Sequence, residues 1–212
     1  MSQRPKYLQA IQDAILQMEK GEAFTAIDFS HIANEDAVNK ALSRLCADGT
    51  IRRVIQGVYD IPEYSDLMQE YAPPRIDKVA AALARKYNWT IAPSGDTALN
   101  MLHLSTQVPN VWEYVSDGPY RQYKIGNTCL TFKRRANKDT SGRSDITIMV
   151  AEALKALGQQ RVNNSIINEL RVNVPDEDKE KLYFESKTMT GWIRENIKKV
   201  CEVEDEKYCK ME

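Results

Sequence analysis

Hydrophobic residues in the first fifty positions recur at the spacing of amphipathic helices. One stripe predicts a helix over residues 6–19 that Gly21 ends, and it consists of Leu8, Ile11, Ile15 and Met18. A second stripe predicts a helix that Asn34 caps and Gly49 ends, and it consists of Val38, Ala41, Leu42 and Leu45. The short segment between them carries apolar residues that can pack on the first helix.

A short β ribbon is predicted directly after these helices. Residues 51–62, IRRVIQGVYDIP, indicate two strands that turn near Gln56-Gly57. If the short segment between the two helices is counted as a helix, three helices are followed at once by a two-stranded ribbon, and this is the element order of a winged helix-turn-helix. We therefore predict a winged helix-turn-helix DNA-binding domain over residues 1–62. The polar, proline-containing stretch 63–74 is interpreted as a linker with room for one helical turn.

The pattern of residues 75–212 predicts a second domain of mixed composition. Helices are predicted over 75–87, 97–103, 146–157, 162–170, 176–187 and 190–201, and a short strand over 89–92. Three segments alternate between apolar and polar residues, namely 111–116, 120–125 and 128–134. Turns at Asp117-Gly118 and Gly126-Asn127 make these segments a predicted three-stranded antiparallel meander. The predicted fold class is therefore α+β, with a winged helix-turn-helix followed by a domain that holds a small meander and C-terminal helices.

The charge of the chain is almost balanced, with 29 Lys and Arg against 30 Asp and Glu. This balance argues against a uniformly basic protein that coats nucleic acid, but it allows a DNA-binding protein that gathers basic residues locally. Residues 1–62 hold seven basic and eight acidic side chains, whereas residues 121–143 hold seven basic and one acidic. The stronger positive segment therefore lies in the second domain.

Composition also predicts where the protein works. The four cysteines form no CxxC pair, so we expect reduced thiols and no zinc site. The N-terminal segment lacks the apolar core of a secretion signal, and no run of about 18 apolar residues is present. We therefore expect a cytoplasmic protein with no membrane partner.

One face of the second helix carries the candidate DNA contacts. The polar residues opposite its apolar stripe include Asn39, Lys40, Ser43 and Arg44. An asparagine can pair with adenine, and an arginine with guanine, through two hydrogen bonds each. In the wing, the candidate phosphate contacts are Arg52, Arg53 and Gln56. The alternative is a winged helix that contacts protein, and the neutral charge of residues 1–62 favours that alternative.

The second domain offers a further candidate surface on or just after the meander. Its basic residues are Arg121, Lys124, Lys133, Arg134 and Arg135. Such a cluster can bind nucleic acid or an acidic protein, and it can equally be a solvated face.

Signatures of catalysis are weak, and we predict no catalytic residue, no metal site and no cofactor. The chain has no Walker, GxGxxG, GxSxG or HExxH motif. Ser94 and Asp96 fit a helix cap and a first-turn carboxylate. Glu185 and Lys187 match half of a metal-dependent nuclease site, and they also fit a charged helix face.

Short motifs in the middle of the chain resemble the bacterial AbiEi-type antitoxins. These motifs are Ser94-Gly95 with Ala98-Leu99, Leu104–Pro109, Asp117–Pro119 with Arg121, and Ile125-Gly126 before Phe132–Arg134. The segments Gly57–Pro62 and Pro73-Pro74 are also similar, so the resemblance spans about residues 5–160. His103 departs from it, because that family usually has glycine at this point.

The resemblance implies a function. AbiEi-type antitoxins belong to type IV toxin–antitoxin systems. Their winged helix represses their own operon by binding inverted repeats in double-stranded DNA, and their second domain counteracts a nucleotidyltransferase-like toxin without needing a stable complex with it. We therefore expect a DNA-binding antitoxin and autorepressor. Two alternatives are a stand-alone winged-helix transcriptional regulator without a toxin and a divergent metal-dependent nuclease.

Overall fold

The structure, a computed structural model, describes residues 6–135 and 142–202. The chain divides into two compact units. The first unit holds the residues up to Trp89 together with Tyr123–Gly126, and the second holds Thr90–Gln122 and the residues from Asn127 onward. Within the described residues there are eight α-helices and three small sheets, so the predicted α+β class is confirmed.

The two predicted N-terminal helices are present and bury the predicted stripes. Helix α1 spans Lys6–Leu16 and α2 spans Glu35–Ala47, with a 3-10 turn at Ala26–Phe29 between them. The residues of both apolar stripes are buried except Met18, which is half-buried. Asn34 caps α2 as predicted, because its side-chain oxygen accepts a hydrogen bond from the backbone N–H of Ala37 at 3.0 Å.

The predicted ribbon is part of a three-stranded sheet. Strands β1 (Ala23–Phe24), β2 (Arg52–Ile55) and β3 (Val58–Asp60) are arranged in the order β1-β3-β2, and both pairs are antiparallel. The turn between β2 and β3 lies at the predicted place, and Gly57 takes a φ of 76° there. Glycine suits this position because a Cβ atom makes such a φ unfavourable.

A buried ion pair joins β2 to β3. The carboxylate of Asp60 is only 1% exposed, and it accepts hydrogen bonds from Nε of Arg52 at 3.0 Å and from Nη2 at 2.5 Å. Nη1 of Arg52 donates to the backbone oxygen of Ala72 at 2.9 Å. Arg52 therefore neutralises a buried charge and also fastens the segment that follows the sheet.

The segment interpreted as a linker has structure of its own. Strand β4 (Tyr64–Ser65) pairs with β5 (Glu70–Tyr71) in an antiparallel hairpin. The segment therefore forms a hairpin and not the helical turn that the sequence allows. The rings of Tyr64 and Tyr71 meet edge to face, with their centroids 5.3 Å apart. Cross-strand aromatic contacts of this kind stabilise such a short hairpin.

Helix α3 (Ile76–Tyr87) belongs to the first unit, although the sequence placed it in the second domain. Arg85 donates from Nε to Asp28 at 2.8 Å and from Nη2 to the backbone oxygen of Ala23 at 2.9 Å. Lys78 pairs with Glu22 at 2.8 Å. The units divide after Trp89 rather than at the predicted residues 62 and 74, because these contacts bind α3 to β1 and to the 3-10 turn.

The four-stranded sheet is mixed, so the predicted antiparallel meander is wrong. Strands β6 (Ile91–Pro93), β7 (Val111–Ser116), β8 (Arg121–Ile125) and β9 (Thr128–Arg134) follow the order β6-β7-β9-β8. Strand β7 pairs antiparallel with β6 and parallel with β9. The predicted strands exist, but β9 lies between β7 and β8. Strand β9 buries Leu130, Thr131 and Phe132, whereas β8 is mostly exposed, which suits β9 to the interior and β8 to the edge.

Helices form the rest of the second unit, and all of the predicted ones are present. They are α4 (Gly95–Met101), α5 (Asp145–Leu157), α6 (Asn164–Asn173), α7 (Asp176–Ser186) and α8 (Gly191–Val200), with a 3-10 turn at Gln159–Arg161. Their apolar sides share one core cluster that includes Leu102, Leu154, Leu170, Leu182 and Ile197. After α4, His103 takes a φ of 56°, a conformation that glycine adopts more readily.

The Arg52–Asp60 pair predicts how two neighbouring arginines differ. We expect Arg52→Ala to lower the free energy of unfolding by about 2–4 kcal/mol, because Asp60 is left charged and unpaired in the core. The matched control is Arg53→Ala, which removes an exposed arginine from the same strand together with its hydrogen bond to the Tyr59 hydroxyl. It should cost about 1 kcal/mol, because no buried charge loses its partner. Urea denaturation of both variants measures the difference, and equal losses would contradict the assigned role.

Candidate nucleic-acid interface

The exposed face of α2 carries the four predicted base contacts. Asn39, Lys40, Ser43 and Arg44 are all exposed, while the opposite face of the helix is buried. The helix holds two acidic residues, Glu35 and Asp36, both in its first turn, and two basic residues. The exposed face therefore has donors and acceptors for hydrogen bonding but no net charge.

The three predicted wing residues have different surroundings. Gln56 is exposed in the turn between β2 and β3. Arg53 is exposed on β2, where its Nη2 donates to the hydroxyl of Tyr59 at 3.0 Å and its guanidinium lies 5.4 Å from the centre of that ring. Arg52 is engaged by Asp60 and Ala72, as described above. Arg53 and Gln56 are therefore placed to reach a ligand, whereas three donors of Arg52 are already used.

Lys86 is a further cation beside the β2–β3 turn, and the sequence prediction missed it. Its Nζ lies 3.0 Å from the position that a Cβ atom would take on Gly57, beside the wing turn. The same ammonium lies 5.4 Å from the centre of the Tyr87 ring. Residues 57 and 86 are far apart in the chain, and α3 had been assigned to the second domain. Only the packing of α3 in the first unit brings this charge to the turn.

The basic residues predicted to form one face on or just after the meander point to both sides of the four-stranded sheet. Lys133 and Arg134 are neighbours in β9, and successive side chains of a strand point to opposite sides of the sheet. Arg121 and Lys124 are three positions apart in β8, so they also point to opposite sides. The described basic residues are thus divided between the two sides. Two more residues of the charged segment, Lys138 and Asp139, lie outside the described residues.

Acidic partners engage two of these basic side chains. Lys133 pairs with Glu113 at 2.7 Å, and Arg135 pairs with Glu152 at 3.0 Å. Arg134 is exposed and has no ionic partner among residues 6–135 and 142–202. The charge that this segment offers to a ligand is therefore smaller than its composition indicates.

Two residues considered for catalysis, Glu185 and Ser94, lie at the starts of helices. Glu185 in α7 accepts two hydrogen bonds at 2.8 Å from Ser144, one from its backbone N–H and one from its hydroxyl. Ser144 is the N-cap residue of α5, so Glu185 places a carboxylate at the start of that helix. Burial by itself would raise the pKa of Glu185, but the hydrogen bonds from Ser144 and Thr147 outweigh burial, and the pKa is lowered. Ser94 is the N-cap residue of α4, although its hydroxyl makes no cap hydrogen bond.

The described residues hold neither a metal-binding cluster nor a helix suited to cross a membrane. Within the described ranges, no group of three or more His, Cys, Asp or Glu side chains is arranged to hold a metal ion. None of the helices there is both long enough and apolar enough to cross a membrane. Burial raises the pKa of Cys201 to about 11, and its thiol donates to the backbone oxygen of Lys179. Cys201 is therefore a protonated, packed thiol at neutral pH.

The amino-acid sequence matches the profile of one protein family. A match to the sequence profile of a family of unknown function, DUF6088, covers residues 10–182. The chain belongs to this family. No curated protein matches the sequence.

A search of solved structures gives distant matches. One is the crystal structure of the RV2827C protein from Mycobacterium tuberculosis. It has 11% sequence identity and a TM-score of 0.45, and the match covers 95% of this chain and 78% of that one. No conclusion about function follows from a likeness at this level.

The helix-capping role of Glu185 predicts a pH-dependent contribution to stability. Because the folded state lowers the pKa of Glu185, its charge stabilises the fold above the ordinary pKa of 4.5, and this contribution is lost as the pH falls through the lowered value. We expect Glu185→Gln to destabilise the protein at neutral pH, and the difference from the wild type to shrink below about pH 4. Urea denaturation across this pH range measures it.

The control for this experiment is Glu169→Gln, which changes an exposed glutamate that accepts one hydroxyl hydrogen bond from Ser165. Its effect on the free energy of unfolding should be small, because the side chain is exposed. A difference between Glu185→Gln and the wild type that stays constant with pH would contradict the assigned charge effect.

Proposed function

We propose that the first unit is a winged helix-turn-helix that binds double-stranded DNA through α2 and the β2–β3 turn. The observation that carries this proposal is the exposed polar face of α2. Its residues Asn39, Lys40, Ser43 and Arg44 are opposite a fully buried apolar stripe, and the antiparallel strands β2 and β3 with a short turn follow the helix. A recognition helix needs such a surface, since it enters the major groove while its other side packs on the domain.

The wing supplies the phosphate contacts in this proposal. Arg53 and Lys86 are cations beside or within the β2–β3 ribbon, and Gln56 is at its turn. Arg52 supports these residues by holding β2 to β3 through Asp60. With a nearly neutral first unit, few phosphate contacts are expected. The affinity for DNA of unrelated sequence should accordingly be low, and specific binding should depend on the base contacts.

We further propose that the protein is the antitoxin and autorepressor of a type IV toxin–antitoxin operon. Support for this step comes from the AbiEi-like motifs between Ser94 and Arg134, together with the proposed DNA-binding role of the first unit. The operator would contain inverted repeats, and the functional partner would be a nucleotidyltransferase-like toxin. The protein would work in the cytoplasm without a catalytic residue, metal or cofactor of its own.

DNA binding is tested by fluorescence anisotropy on the DNA upstream of the gene and on scrambled DNA. We expect Asn39→Ala to weaken binding to the upstream DNA by about 1–3 kcal/mol and to leave the scrambled DNA nearly unaffected. We expect Arg53→Gln and Lys86→Gln to weaken both, and each to reduce the slope of log affinity against log salt by about one.

The control variant is Arg161→Gln, which removes an exposed cation whose guanidinium donates to the carbonyl oxygens of Ala156 and Leu157 at the end of α5. It should bind both DNA molecules as the wild type does. If Asn39→Ala and Arg53→Gln both bind as the wild type does, the proposed interface is wrong.

The antitoxin role is tested by co-expression with the neighbouring reading frame. We expect that frame to encode a nucleotidyltransferase-like protein that stops growth, and growth to be restored by the wild-type chain. A variant that no longer binds DNA, such as Asn39→Ala with Arg53→Gln, should still restore growth from an independent promoter. Without such a neighbour, DNA binding would instead support a stand-alone transcriptional regulator.

A further inference from the structure

A cavity of about 360 Å³ lies within the helical part of the second unit. Its apolar walls come from α5, from α8 and from the residues just before α8, namely Ile148, Ala151, Met189 and Ile193. Three of these residues are buried, so this part of the cavity is the inner one. The volume lies in the range of pockets for small molecules, which is about 300–1,000 Å³.

Polar and charged side chains line the outer part of the same cavity. They are Arg143, Glu152, Lys155, Thr188 and Thr190, and all except Glu152 reach solvent. An apolar interior with a few polar groups at the mouth is the usual form of a small-molecule site.

Glu152 does not make the cavity acidic, because two cations neutralise it. Its Oε1 accepts a hydrogen bond from Nζ of Lys155 at 2.9 Å, and its Oε2 accepts one from Nη2 of Arg135 at 3.0 Å. Glu152 itself is 5% exposed, and both of its cations are partly exposed. The side chains that line the cavity therefore include two cations, Arg143 and Lys155, and a single carboxylate, that of Glu152.

Arg143 is held in place at this mouth. Its Nη2 donates to Oγ1 of Thr188 at 2.9 Å. The hydroxyl of Thr188 accepts this hydrogen bond and keeps its own hydrogen for donation to a ligand. A planar guanidinium, an ammonium and a hydroxyl are the donors with which proteins bind phosphate oxygens.

We propose that this cavity binds a phosphate-bearing small molecule of mononucleotide size. The phosphate contacts Arg143, Lys155 and Thr188, and the body of the molecule packs against Ile148, Ala151 and Ile193. Glu152 is a positioning residue that orients Lys155 and Arg135. The site belongs to the second unit alone and is independent of the DNA interface proposed for the first.

Isothermal titration calorimetry on the full chain tests the proposal with three probes: inorganic phosphate, adenosine and the four common nucleoside monophosphates. We expect at least one nucleoside monophosphate to bind more tightly than phosphate and adenosine, and its affinity to fall with rising salt. We expect Arg143→Gln to weaken that binding about tenfold or more, because a charge-assisted contact is lost. The control is Arg161→Gln, which should bind as the wild type does.

A second variant tests the apolar part of the site. Ala151→Leu extends a side chain into the cavity, so it should reduce nucleotide binding while binding of inorganic phosphate stays near the wild-type value. Thermal unfolding checks that each variant is folded, and Lys155→Gln replaces Arg143→Gln if that variant is not. Absence of nucleotide binding at millimolar concentration would overturn the proposal. The proposal would also be overturned if a folded Arg143→Gln variant bound the nucleotide as tightly as the wild type does. It would equally be overturned if the wild type bound nucleotide and inorganic phosphate with the same affinity.

Discussion

Asp60 and Glu152 are carboxylates with almost no exposure to solvent, and each of them is held by an arginine. A buried charge is tolerated only when it is paired and hydrogen-bonded, so these two residues determine what the arginines around them do. Arg52 is used to hold the β2–β3 sheet, and Arg135 is used to hold α5. The basic residues that can bind a ligand are therefore those that are not needed to pair a buried carboxylate.

The pairing of buried carboxylates also limits which cations are available at each of the two proposed sites. In the first unit, the pairing of Arg52 leaves Arg53 and Lys86 as the cations at the wing. In the second unit, Glu152 takes part of the charge of Lys155 and Arg135, and Arg143 adds a further cation at the cavity mouth. Both sites therefore depend on a few well-placed cations. This agrees with a chain whose acidic and basic residues almost cancel.

Much of the local structure could be predicted from the sequence. The stripes that include Leu42 in α2 and Leu154 in α5 follow the helical period, and Asn34 is a strong cap residue, so these helices were predictable. Which strands pair with each other could not be predicted from the sequence. Strand alternation shows which side chains are buried together, but it does not specify the neighbouring strand, and β9 rather than β8 lies beside β7.

The sequence by itself determined the α+β class, the helices and their buried faces, the turn at Gly57 and the exposed residues of α2, because all of these depend on side chains a few positions apart. Tertiary structure decided the pairing of Asp60 with Arg52, of Glu113 with Lys133 and of Glu152 with Arg135, since the two residues of each pair are distant in the chain. It also brought Lys86 to the wing turn and enclosed the cavity beside Arg143. Contacts between distant residues depend on how the elements pack, and hydrophobic period carries no information about that packing.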